Sequence, residues 1–134
     1  MAGYSGTPLA QKVGAKPRAR ALVVNPPPEA PELFADGVQV LRRAGGAPLD
    51  AIVVFAVERR DLERRLPRLR ERLDPGGMLW VAWPKRASGV PTDVTEDVIR
   101  DFAVGQTDLV DVKVVAIDET WSGLKLMVRR SARD

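Results

Sequence analysis

The chain has 134 residues and a formal net charge of +3, and it contains neither cysteine nor histidine. Those two absences exclude disulfides, thiolate nucleophiles, Ser-His and Cys-His hydrolytic machinery, and metals held by sulfur or imidazole. Any chemistry falls to carboxylates, lysine, tyrosine or hydroxyls. No apolar run reaches the roughly 18 to 20 residues of a membrane-spanning helix and no secretory pattern opens the chain, so one cytoplasmic domain over residues 1–134 is expected, with no membrane partner.

Residues 1–18 read as an extension carrying a short helix, with Thr7 as cap, Pro8 at the first position and Gly14 beyond the end. Arg20 to Val24 is a first buried strand, stopped by Asn25-Pro26-Pro27-Pro28 because proline cannot donate to a ladder. A helical turn at Pro31 to Ala35 and a turn at Asp36-Gly37 lead to a second strand, Val38 to Leu41, nearer the sheet edge. Asp50 to Val57 is the clearest buried strand. It feeds a helix over Glu58 to Leu73, on which Leu62, Leu66, Leu69 and Leu73 recur at helical spacing. Pro67 predicts a kink there or a division into two short helices.

Asp74-Pro75-Gly76-Gly77 is a turn, followed by the strand Met78 to Trp83, which stops at Pro84. Asp93 with Glu96 has the spacing of a capping box and predicts a helix to about Val104, with Val94, Val98, Ile99 and Phe102 on its buried face. Leu109 to Ile117 and Leu124 to Arg129 are joined by a connection too short for a parallel crossover, so they form a hairpin before a tail at 130–134. The fold class expected is α/β: a shortened Rossmann-like sheet, mostly parallel, ending in a C-terminal antiparallel β-hairpin. The predicted order runs from the first strand to the Asp50, Met78 and Leu124 strands, with Leu109 to Ile117 at the edge.

Over Leu49 to Arg130, the strand DAIVVFAV, a helix, the turn Leu73-Asp74-Pro75-Gly76-Gly77, a strand, a helix and a hairpin resemble the second half of class I methyltransferases that use S-adenosylmethionine. The whole chain, with LWVAWPK, ASGVPTDVTEDVIR and DETWSGLK, also resembles a bacterial family of short proteins of unknown function. The first resemblance implies a cofactor loop rich in glycine after the first strand and an acidic residue after the second. This chain has Asn25-Pro26-Pro27-Pro28-Glu29 and Arg42-Arg43 in those places. Proline has no amide hydrogen to offer a ligand, so ordinary use of the cofactor is not expected, and no cofactor or metal is assigned.

In an open parallel sheet ligands sit beyond the carboxyl ends of the strands. That rule gathers Asn25, Glu58, Trp83, Lys85, Thr92, Asp93, Asp118 and Trp121 as a candidate ligand-binding crevice. Lys85, after the rigid Trp83-Pro84, suits an anion or carboxylate, and its replacement is expected to leave stability within about 0.5 kcal/mol. Helix capping competes for Asp93, packing for Trp121, and turn chemistry for Asp118. No catalytic residue is assigned.

The arginines of the Glu58 to Leu73 helix are interleaved with Glu58, Asp61, Glu63 and Glu71, the pattern of a solvated helix laced with ion pairs. The expected function is a non-catalytic Rossmann-like module that binds a small anionic ligand or a protein partner, nucleic acid being disfavoured. The alternatives are an enzyme of the methyltransferase-like superfamily with atypical cofactor or nucleotide binding, and a nucleic-acid-associated protein that uses the arginine-rich helix.

Overall fold

A computed structural model describes residues 20–27, 39–41 and 47–133. The helices expected around Thr7 and at Pro31 to Ala35 lie outside these residues, as do Arg42 and Arg43. The described elements are β1 (Arg20–Val24), β2 (Gln39–Leu41), β3 (Leu49–Phe55), α1 (Arg59–Arg72), β4 (Leu73–Pro84), α2 (Glu96–Gln106), β5 (Leu109–Ala116) and β6 (Trp121–Val128).

One six-stranded sheet has the order β2-β1-β3-β4-β6-β5. The first four strands in that order are parallel, while β6 runs antiparallel to both β4 and β5, as the hairpin reading requires. From Ala51 to Ala56 every residue is buried, because β3 lies in mid-sheet and is covered on both faces.

The two faces carry separate cores. On the first, Ile52, Val54, Leu79, Val81, Leu124 and Leu126 pack with Leu62 and Leu66 of α1 and with Ile99 and Ala103 of α2. On the second, Val53, Phe55, Trp80, Ala82, Ile117 and Trp121 pack together, and no helical residue among those described joins them. Gly123 lets the strands pack closely on that face: a Cβ there would come within 3.1 Å of both the Ile117 side chain and the Trp80 ring, which would have to shift by a few tenths of an ångström.

Four sequence expectations need correction. Of the two outcomes expected at Pro67, a kink or two short helices, the second is overturned, because α1 is one continuous element across it. Pro67 removes only the bond to the Glu63 carbonyl, while Leu62 and Leu66 before it and Leu69 after it pack in one core. The Asp74 to Gly77 turn does not precede β4 but is looped out within it. Leu49 pairs with Leu73 and Ala51 with Met78, so the extra residues bulge, held by the Gly76 amide donating to Asp74 Oδ2 at 2.8 Å.

The third correction concerns α2, which starts at Glu96 and is capped by Thr95, whose hydroxyl accepts from the Val98 amide at 3.2 Å. Asp93 is not its cap. Glu96 and Asp97 occupy the first turn, where the helix dipole favours acids, and Arg100 binds both of them and Asp111 of β5. Asp111 and Glu96 hold the Arg100 guanidinium above its ordinary pKa. The hairpin is also tighter than expected, since β6 already begins at Trp121.

Candidate functional site

The register fixes which residues share the carboxyl edge. Val24 pairs with Val54, Phe55 with Ala82 and Pro84 with Trp121, so the segments after β1, β3 and β4 and the turn before β6 all emerge there. In the sheet order the chain passes from β1 outward to β2 and from β3 outward to β4, so the two connections diverge from between β1 and β3. The crevice between the ends of β1 and β3 is thus the topological switch point at which such sheets bind ligands.

Asn25 and Glu58 stand at that switch point. Asn25 has φ 53°, in the left-handed region that asparagine tolerates better than other side chains, and this lets the chain turn off β1 into Pro26 and Pro27. Its Nδ2 donates to Asp61 Oδ2 at 3.3 Å, bridging the end of β1 to α1. Asp61 also receives Arg64 and Arg65. Burial pushes its carboxyl pKa up, but the bonds and charges of the two arginines outweigh this and hold it below the ordinary value. Glu58 is the exposed N-cap residue of α1, and its side chain makes no capping bond.

That cap comes from elsewhere. Asp93 Oδ1 accepts from the Arg59 amide at 2.6 Å, placing a carboxylate on the positive end of α1. The hydroxyl of neighbouring Thr92 donates to the Val57 carbonyl at 2.5 Å and accepts from the Val94 amide at 3.0 Å. The loop after β4 is stitched to the end of β3 at two consecutive positions.

Lys85 is held in a similar way. Its amide donates to Thr120 O at 2.7 Å and its Nζ to Asp118 O at 2.6 Å, while its own carbonyl accepts from Ser88. Asp118 Oδ1 accepts from the Thr120 and Trp121 amides, both at 2.8 Å, which is turn chemistry. The tryptophans separate: Trp83 belongs to the first-face core, whereas Trp121 is buried on the second face, edge-on to Phe55 with centroids 5.1 Å apart.

All eight predicted residues therefore reach one edge, but they do not converge on one point. Thr92, Asp93 and the start of α1 form one cluster, Lys85 with Asp118 a second, and Trp121 lies under the sheet. The sequence reading missed Ser88, Asp61 and Thr120 as parts of the edge. Ser88 was the legible one, because a serine before Gly89, whose φ is 77°, is a common turn pair. Adjoining the first cluster, with Arg59 common to both, an open groove of about 370 Å³ lies between the helices, lined by Arg59, Glu63, Val98, Asp101, Phe102 and Gln106.

A methyltransferase-like fold implies S-adenosylmethionine at the switch point, and the donors there fit it poorly. Pro26 and Pro27 offer no N–H where the loop should approach the ligand, and the Asn25 amide group is committed to Asp61. Among the described residues no cluster of three or more acidic side chains could hold a metal, and no helix is long and apolar enough to cross a membrane.

No family model matches the chain. No curated protein matches it. Solved structures do. The ribosomal protein L11 methylase of Lactobacillus delbrueckii subsp. bulgaricus is 13% identical with a TM-score of 0.57, over 90% of this chain and 74% of that one. A putative methyltransferase from Thermoplasma acidophilum is 8% identical with a TM-score of 0.56, over 97% and 77%. The magnesium protoporphyrin IX methyltransferase of Synechocystis, solved with bound S-adenosylhomocysteine, is 10% identical with a TM-score of 0.56, over 88% and 78%. The fold is the methyltransferase-like Rossmann fold; identities this low establish the fold and no more.

Proposed function

We propose that this chain is a non-catalytic module of the methyltransferase-like fold whose working surface is the carboxyl edge of the sheet. One observation carries this reading: the polar groups that a catalytic site would keep free are used there to fasten loops. Asp93 is spent on the α1 amide, Thr92 on the Val57 carbonyl and Lys85 on the Asp118 carbonyl. A carboxylate already sits where an anionic ligand would meet the helix end, which favours a pre-shaped surface for a protein partner over a pocket for a small anion.

A second reading, an enzyme with atypical cofactor or nucleotide binding, is favoured by the fold and by Glu58, an exposed carboxylate at the switch point with no capping bond. Amide chemical-shift mapping with S-adenosylhomocysteine and with ATP separates the two. The module reading expects no saturable shifts at Asn25, Glu58 or Arg59. Saturable shifts at those three positions favour the enzyme.

A further inference from the structure

The ion pairs of α1 are unevenly distributed. In its first half Arg59 pairs with Glu63, and Arg64 and Arg65 share Asp61, leaving Arg60 as the exception. In its second half Arg70 pairs with Asp108, while Arg68 and Arg72 have no salt-bridge partner among the described residues. Three of the four arginines in the first half are thus ion-paired, against one of the three in the second.

The unpaired end lies at the amino edge of the sheet, opposite the candidate crevice. Leu73, next to Arg72, pairs with Leu49 at the start of β3, and Val128 at the end of β6 pairs with Leu109 at the start of β5. Arg129, Arg130 and Arg133 follow Val128. All three are exposed and none has a salt-bridge partner among the described residues. Three bonds tie this segment beside the end of α1: the Arg129 amide donates to Asp108 O at 2.8 Å, and Arg70 grips the Asp108 carboxylate at 2.5 and 2.9 Å. Arg133 Nε donates to Val128 O, fixing the turn that carries the three arginines.

Acids do reach this edge. Asp108 is taken by Arg70, Asp50 accepts from the Arg20 amide, Asp74 accepts from the Gly76 amide, and Glu71 is exposed. None forms a salt bridge with Arg68, Arg72, Arg129, Arg130 or Arg133. Arg72 Nε is moreover buried with no hydrogen-bond partner.

We infer that this amino-edge arginine surface binds the phosphate backbone of a nucleic-acid duplex. Guanidinium groups match phosphate bidentately, and every cationic side chain in the cluster is an arginine. The aromatic rings among the described residues are all at least partly buried, so among these residues no fully exposed ring offers itself for base stacking, and the arginines favour recognition of the backbone. A membrane surface is the poorer fit, because an interfacial segment carries apolar residues beside its cations. Among the described residues the exposed large hydrophobics, Val57, Val90, Val104, Val112 and Val114, lie outside both α1 and the segment after β6.

The test is fluorescence anisotropy of labelled DNA and RNA duplexes of about 20 base pairs, from about 50 to 200 mM salt, with phosphatidylserine vesicles run in parallel. The wild-type chain should bind a duplex, with affinity falling steeply as salt rises. The variant Arg68→Gln/Arg129→Gln/Arg130→Gln should lose about tenfold or more at low salt and flatten the log–log salt slope by about 0.9 for each phosphate it no longer neutralises. Arg64→Gln, whose side chain is paired with Asp61, and Lys85→Ala, at the opposite edge, should stay within about twofold of the wild type. Circular dichroism of each variant confirms that it is folded. The inference is overturned if neither duplex binds at low salt, if the triple variant binds as well as the wild type, or if vesicles bind through these arginines and duplexes do not.

Discussion

Asp93 caps a helix that begins 34 residues before it in the chain, its Oδ1 accepting from the Arg59 amide at 2.6 Å. Thr95, two residues further on, caps the helix that follows it. A three-residue segment thus fixes the starts of both described helices, and the carboxyl edge depends on it.

Each cap should be worth about 1 kcal/mol, at different places. Asp93→Ala should accelerate amide exchange in the first turn of α1, beginning at Arg59, and leave Val98 unchanged. Thr95→Ala should do the reverse. Loss of protection at the Glu96 amide in the Asp93 variant would restore the capping box that the Asp93–Glu96 spacing suggests.

Lys85→Ala should cost about 1 kcal/mol in urea denaturation, more than a free surface lysine, because a part-buried charged donor holds the Asp118 carbonyl at 2.6 Å. A cost below about 0.3 kcal/mol would show that the bond contributes little in solution.

On the second face Lys113 and Lys125 stand directly opposite one another across β5 and β6. Burial, with the Lys113 charge adding to it, pushes the Lys125 pKa down. Like charges so placed destabilise a sheet, and Lys113→Met should therefore stabilise the protein by about 0.5 kcal/mol at neutral pH. The sign of the pH dependence follows. A lysine whose folded pKa is depressed binds fewer protons folded than unfolded, so wild-type stability should rise as pH climbs from the folded value toward about 10.4. The advantage of the variant should shrink over the same range.

The hydrogen bond from Arg70, with its charge, holds the Asp108 carboxyl below the usual carboxylate range despite burial. The stability it contributes is present above the unfolded value of about 3.9 and is lost as pH falls through the lower folded value. Arg70→Met should cost about 1 kcal/mol at neutral pH, and the gap to the wild type should close below about pH 4.

Strand order was legible because apolar runs such as DAIVVFAV and MLWVAW are long and end at hard stops, and because a short connection forces β5 and β6 into a hairpin. Tertiary contacts overrode local signals elsewhere. The Asp93–Glu96 spacing lost to Thr95 because the Asp93 carboxylate had a better partner across the sheet. The turn at Asp74 to Gly77 became a bulge, since β4 keeps its pairing with β3 on both sides of it. The shared edge of the eight candidate residues followed from strand direction alone. Their internal bonding did not, because Lys85 Nζ finds a carbonyl 33 residues away and no spacing rule reaches that far.

Calorimetric titration of the full chain with S-adenosylmethionine and with S-adenosylhomocysteine tests the central claim most directly. No saturable heat is expected at micromolar ligand, because Pro26 and Pro27 supply no amide donors and Asn25 is bonded to Asp61. A micromolar dissociation constant, abolished by Asn25→Ala or Glu58→Gln in variants that remain folded, would contradict it and make this edge a cofactor site.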